Sequence, residues 1–220
     1  LSSVVWNFAD DGFNRTMGVG CFMNCHELRM VCKKNGATIG FSSVPLTKIP
    51  AFCFYNCGSV LANGIIDLSW IPDGVTTLER FCLAHTDIVV TTRTEEQTPL
   101  RATFSPTMFL GCTQLTSLRL SHFNTKDVTE MKSMFSDCAE LISLDLSAFR
   151  TNQVTDMSNM FLNCYKLEAL EISSFTTEKV RYMQNMFSNC KKVTSLDVSN
   201  FKTDNVIQME NMFQYCIQYS

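Results

Sequence analysis

From residue 108 onward the chain repeats itself every 26 positions. The pair Met108-Phe109 returns as Met134-Phe135, Met160-Phe161, Met186-Phe187 and Met212-Phe213, and three residues after each Phe stands a Cys, at 112, 138, 164, 190 and 216. A fixed period of about 20 to 50 residues marks stacked supersecondary units, none of which can bury its apolar side alone. A chain built this way must coil, and coiled chains work chiefly by presenting a surface.

Aligning the copies exposes the inward positions. One column holds Leu115, Leu141, Leu167 and Val193, the next Leu118, Leu144, Leu170 and Leu196, and a third Leu120, Leu146, Ile172 and Val198; Phe follows at 123, 149, 175 and 201. The Leu-x-Leu centre alternates with period two, which predicts a short strand with one buried face. The other half of each unit runs Val128, Met131, Met134-Phe135, Cys138, and spacings of three and four put these on one face of a helix or of successive tight turns. The spacing alone does not separate a helix from a second short strand for Val-x-x-Met. Polar residues between them, such as Thr155, Asp156, Ser158 and Asn159, are expected to cover the solvent side. Thr125, Thr151, Thr177 and Thr203 recur where the chain must turn away from the strand, which suits a hydroxyl capping backbone N–H groups.

The first hundred residues carry the same pattern in looser form. Cys21-Phe22-Met23-Asn24-Cys25 with Leu28, and Cys53-Phe54-Tyr55-Asn56-Cys57 with Val60, match Met108 to Cys112 with Leu115; Cys82-Leu83-Ala84-His85-Thr86 with Val89 is a weaker copy. The aromatic column then runs 22, 54, 83, 109, 135, 161, 187, 213, so residues 1–220 are expected to form one solenoid, irregular with insertions over 17–107 and regular over 108–220. The run within Thr91–Thr107 that contains Thr-Glu-Glu-Gln-Thr-Pro reads as an exposed excursion.

Composition narrows the function. Apolar residues make up 45% and charged residues 18%, as in a folded chain, and a net charge of −3 gives no pull toward nucleic acid or anionic lipid. No apolar run approaches the 18 or so residues of a membrane span. The segment Leu1 to Trp6 carries neither an initiator Met nor a basic leader region, which fits a processed end or a cut in a longer chain, and Asn14-Arg15-Thr16 is a glycosylation sequon of a kind that arises by chance. Eleven Cys cannot all pair within the chain, and the five in the repeat column read as small buried hydrophobes. Cys21/Cys25 and Cys53/Cys57 have a spacing permissible for a thiolate metal site, with Cys32 as a further partner, but their column positions favour packing. The Met columns at turn spacing favour core packing over a cofactor box. His26, His85 and His122 lack an acid at a fixed offset, and no catalytic or phosphate-loop motif occurs, so an enzyme is not expected and neither is a cofactor.

The spacing Leu-x-x-Leu-x-Leu-x-x-Phe fits the leucine-rich-repeat signature. The whole unit, clearest from Met134 to Met157, resembles the BspA-like branch of that class, and the stretches Ile49 to Cys57 and Ile71 to Thr76 resemble its shorter repeat type. Arg119 where Asp145 and Asp197 stand in other copies, and Thr86 where a thiol is expected, depart from the pattern. The resemblance covers roughly 17–216. It implies an α/β leucine-rich-repeat solenoid of about eight stacked turns, with parallel short strands on the concave side and short helices or tight turns on the convex side. It also implies a secreted or cell-surface protein engaged in adhesion.

The concave strand face is the natural binding surface of such a stack. Its outward columns are Ser117, Ser143, Ala169, Ser195; then Arg119, Asp145, Glu171, Asp197; then Ser121, Ser147, Ser173, Ser199. Three carboxylates in neighbouring strands about 5 Å apart repel by ~0.8 kcal/mol per adjacent pair in water. A cation or a basic peptide would relieve that repulsion; the alternative is a solvated polar face. The expectation is a non-enzymatic module binding a protein or glycan ligand, or else a structural scaffold that packs by its open ends. After Cys216 the next strand falls near Tyr219, so a partner chain or further domain is expected to cover the C-terminal turn.

Overall fold

The computed structural model describes residues 106–120 and 123–216, and ahead of them the backbone of short strands. The aromatic positions 22, 54 and 83, the sequon, the three His, Ser121 and Cys21, Cys25, Cys53 and Cys57 lie outside the described residues, and of Cys32 only the backbone is described. Among the described residues ten strands follow one another: β1 (Val4–Trp6), β2 (Val31–Lys33), β3 (Lys48–Ile49), β4 (Ile65–Asp67), β5 (Thr77–Leu78), β6 (Val89–Thr91), β7 (Thr103–Phe104), β8 (Ser117–Arg119), β9 (Ser143–Asp145) and β10 (Ala169–Glu171). All pair in parallel, as β1-β2, β3-β5-β7, β4-β6 and β8-β9-β10. β7, inside the segment 91–107 expected as an exposed excursion, pairs with β5, and residues 92–102 of that segment lie outside the described residues.

Register follows period. Ser117, Ser143 and Ala169 sit opposite one another, as do Leu118, Leu144 and Leu170, so each side chain lies over its equivalent 26 residues away. The expected inward columns are interior files: Leu115, Leu141 and Leu167 are fully buried, and Leu120, Leu146, Ile172, Phe149 and Phe175 nearly so. Phe109, Phe135, Phe161 and Phe187 form a single interior stack with ring centroids 5.6, 5.7 and 5.5 Å apart, extended by Phe213 at a further 5.5 Å. Near-parallel rings 5.5 Å apart lie within the range of offset stacking, so each turn offers its neighbour a matched aromatic face.

Opposite the strands each unit is a succession of tight turns, with no helix among the described residues. The amide of Met134 bonds back to Met131 O, that of Ser136 to Ser133 O and that of Cys138 to Phe135 O. Two residues of each unit, four apart, adopt positive φ: Ser133, Asn159, Asn185 and Asn211 at 55–57°, and Gly111, Asp137, Asn163, Asn189 and Tyr215 at 59–68°. Gly and Asn tolerate this region best, which explains their place in the column. The remaining amides point along the stack. Those of Met131, Ser133, Phe135 and Asp137 donate to Asp156 O, Ser158 O, Met160 O and Leu162 O of the following turn at 2.8–3.0 Å. A line of parallel bridges, Glu130 to Asp156 to Tyr182 to Gln208, joins the turns just before this region.

One polar residue departs from its expected place. Ser158 is fully buried, and the half-buried Asp156 accepts both its amide (2.8 Å) and its hydroxyl (2.6 Å), so Ser158 fixes the turn from inside and does not cover it. Thr125, Thr151 and Thr177 accept backbone N–H groups as expected, but from the following turn; they are buried and tie neighbouring turns together, while Thr203 is exposed. Thr151 Oγ1 donates to Thr176 O at 2.9 Å and accepts from Thr176 N–H at 2.8 Å, and Thr125 and Thr177 make the same paired contact with Arg150 and Lys202.

Candidate functional site

The solvent face of β8–β10 and of the strand-like segment after them carries the expected columns. Ser143, Asp145 and Ser147, then Ala169, Glu171 and Ser173, then Ser195, Asp197 and Ser199 are all exposed, while the Leu residues between them face inward. Alternation across the pleat is what separates these two sets. Of Ser117 and Arg119 the structure gives the β8 backbone, in register with Ser143 and Asp145.

The acidic column has its own geometry. Asp145 Oδ1 accepts the Ser147 amide at 2.9 Å, Glu171 Oε1 that of Ser173 at 2.8 Å and Asp197 Oδ1 that of Ser199 at 2.9 Å. Each carboxylate closes the turn that ends its own strand segment, an Asx-type function. Hydrogen bonds from the Ser hydroxyl and then the Ser amide hold all three carboxyls below their usual range. Glu171 also senses the charges of Asp145 and Asp197, which push the other way and are outweighed. The strip therefore stays ionised into mildly acidic solution. Among the described residues, no three His, Cys, Asp or Glu side chains form a set that could hold a metal ion.

Beside the strip lies a border that residue spacing did not single out. Ile142 and Tyr165 are large apolar side chains in contact with solvent, and Lys191 sits over the Tyr165 ring at 5.2 Å. Lys166 pairs with Glu140 at 2.6 Å and Lys192 with Glu168 at 3.0 Å, both between turns. These pairs are exposed and contribute little to stability. Their mixture of aromatic, aliphatic and cationic groups gives the acidic strip an amphipathic margin. The signal was faint because these columns change residue type from copy to copy.

The repeat thiols face the opposite way. Cys138, Cys164 and Cys190 are fully buried, and desolvation pushes all three thiols upward, Cys190 to about 12. A thiol so far from ionisation is neither a nucleophile nor a ready metal ligand. Among the described residues no helix is long and apolar enough to cross a membrane.

Comparison with known proteins agrees with this architecture. The BspA type leucine-rich repeat region matches residues 15–146 in six copies, and a family described as Mycoplasma protein of unknown function, DUF285, matches residues 103–220. A leucine-rich repeat protein from Eubacterium ventriosum, known by crystal structure, aligns with 100% of this chain and 84% of its own at 13% identity, with a TM-score of 0.44. No curated protein matches. The chain belongs to the BspA-type leucine-rich-repeat family and, through residues 103–220, to the family described as Mycoplasma protein of unknown function.

Proposed function

We propose that this chain is a non-enzymatic binding module of a secreted or cell-surface protein, and that the outward strand face engages a protein or glycan ligand. BspA-type repeat proteins are generally surface binding proteins, which supports the setting. The observation that carries the reading is the exposed strip of Asp145, Glu171 and Asp197 between a column of Ser143, Ala169 and Ser195 and one of Ser147, Ser173 and Ser199, with Asp145 and Glu171 held opposite each other by the strand register. A rigid row of carboxylates and hydroxyls at strand spacing matches a basic peptide or the hydroxyls of a sugar chain. By their place in the repeat, Ser117 and Arg119, whose backbone is in register with Ser143 and Asp145, and Ser121 are assigned to the same three columns. On this reading residues 1–220 form a single solenoid of about eight turns.

The test compares the chain with a variant carrying Asp145→Asn, Glu171→Gln and Asp197→Asn, with binding read on a glycan array and a panel of Lys- and Arg-rich peptides. The changes are isosteric and on exposed side chains, so circular dichroism should stay the same. Binding by the parent and loss of at least tenfold in affinity by the variant are expected, the size of a single lost charge contact. Equal binding by both, or none by the parent, would sink the reading.

A further inference from the structure

Neighbouring turns are joined by one set of contacts, repeated. The hydrogen bonds that cross between turns link residues 24 to 29 positions apart, so each turn is bonded to the one before it and the one after it. Three successive junctions bring the same parts together. Each has a pair of stacked Phe rings with centroids 5.5–5.7 Å apart, a Cys thiol on a Phe carbonyl 29 residues earlier, and a Thr hydroxyl paired with the backbone of the next turn. The bonds run in both senses along the stack: Met131 N–H donates forward to Asp156 O, and Thr155 N–H back to Thr129 O. The five repeat thiols are free, so among the described residues no disulfide clamps one turn to another.

All these contacts lie along the axis of the stack. Tension along that axis loads the edge of one junction and peels it open, whereas strands pulled along their own length would have to break their bonds together. A turn freed on one side cannot stay folded. Val154, Met157, Met160, Phe161, Cys164 and Leu167 are buried because turns cover them on both sides, and a single unit cannot bury such a file alone. The freed turn gives up its 26 residues as extended chain, a gain of about 90 Å. The turn left behind keeps its apolar file and its register, and so is a template on which the released chain rewinds.

We propose that the regular half of this solenoid is an extensible connector, which yields to tension one turn at a time in equal lengths and rewinds when tension falls. The sameness of the junctions carries the proposal, because equal contacts part at similar force and none of them binds three turns into one unit. A disulfide between turns, or bonds that skipped a turn, would make several turns part together. The setting comes from the reading of the chain as part of a surface protein, which is pulled whenever surface and ligand move apart. The mechanics hold whatever the strand face binds, so they stand or fall separately from that reading.

The test holds the full chain in an optical trap by handles coupled at Lys126 and Asp204, exposed residues of one column three periods apart. Rising force should lengthen the chain in three separate increments of about 90 Å each, and falling force should recover them. Ser143→Cys with Ala169→Cys, oxidised to a disulfide across β9 and β10, takes one period out of the loaded path and should leave two increments. Thr151→Val should lower the force of one increment and leave its length alone. The proposal is overturned by a single jump of all three periods, by lengthening without steps, or by extension that persists after relaxation. Three increments in the cross-linked chain, or an equal loss of force at every increment in Thr151→Val, would overturn it too.

Discussion

The thiol of Cys164 donates to the carbonyl oxygen of Phe135, one turn earlier in the stack, at 3.2 Å. That oxygen also accepts the amide of Cys138 from its own turn, so the thiol occupies its second lone pair. Cys138 to Phe109 and Cys190 to Phe161 repeat the contact at the same distance. The Cys column is thus a set of staples between turns as well as apolar filling.

Reactivity should follow position in the stack. Among these five thiols Cys216 is only half-buried while the others are wholly enclosed, so a thiol-alkylating reagent should label Cys216 first and Cys138, Cys164 and Cys190 only on unfolding, as read by mass spectrometry. Burial raises the Cys190 thiol from 9.0 to about 12, so the fold holds it neutral where the unfolded chain would ionise it. Its stabilising contribution is complete below pH 9.0 and is lost as pH rises toward about 12. Within that window stability should fall by about 1.4 kcal/mol per pH unit for each such thiol, and less steeply in Cys190→Ala. A melting temperature flat across the window would contradict the burial.

Thr151→Val keeps the shape of the side chain and removes its hydroxyl. The Thr176 amide then loses its acceptor in a mostly enclosed place, which should cost about 1–3 kcal/mol in denaturant unfolding, while Thr151→Ser should recover most of it. Equal loss in both variants would mean that the methyl group matters and the paired contact does not.

How much of this the residues announce depends on which column is considered. The Leu, Phe and Cys files are legible because an inward position tolerates few residue types, and the period of 26 recovers the strand register without a slip. The turns opposite were not settled by spacing, since Met131, Met134 and Cys138 lie three and four apart in a helix and in linked tight turns alike. Asn159, Asn163, Asn185 and Asn189 carried the deciding signal. It was blurred by Ser133, Gly111 and Asp137 in the same columns, which satisfy positive φ by other means. Burial of Ser158 was hidden because its partner is Asp156, a residue whose type by itself points to solvent. The outward positions at 143–147, 169–173 and 195–199 are exposed as their alternation implies, yet the closing of each turn by Asp145, Glu171 and Asp197 was not foreseen. An exposed acid two residues before a Ser is common and says nothing until the backbone turns.

Asn163 tests the turn geometry. Its φ is 62°, and its side chain links Asp137 and Asn189 at 2.7 and 2.8 Å. Asn163→Gly loses the amide contacts alone, whereas Asn163→Ala also places a Cβ in the left-handed region at about 1–2 kcal/mol. Chemical denaturation should rank Ala below Gly by about that margin. An Ala variant as stable as the Gly variant would contradict the positive φ.

The most direct test of the stack is cross-linking at exposed, registered positions. Ser143 and Ala169 face each other across β9 and β10, and parallel neighbours stand about 4.8 Å apart, within disulfide range. Ser143→Cys with Ala169→Cys should form a disulfide readily under mild oxidation, identified by mapping the linked peptides. The offset pair Ser143→Cys with Ser173→Cys, four residues out of register, should not. Equal cross-linking of the two pairs, or none in the registered one, would contradict the superposition of equivalent residues from turn to turn.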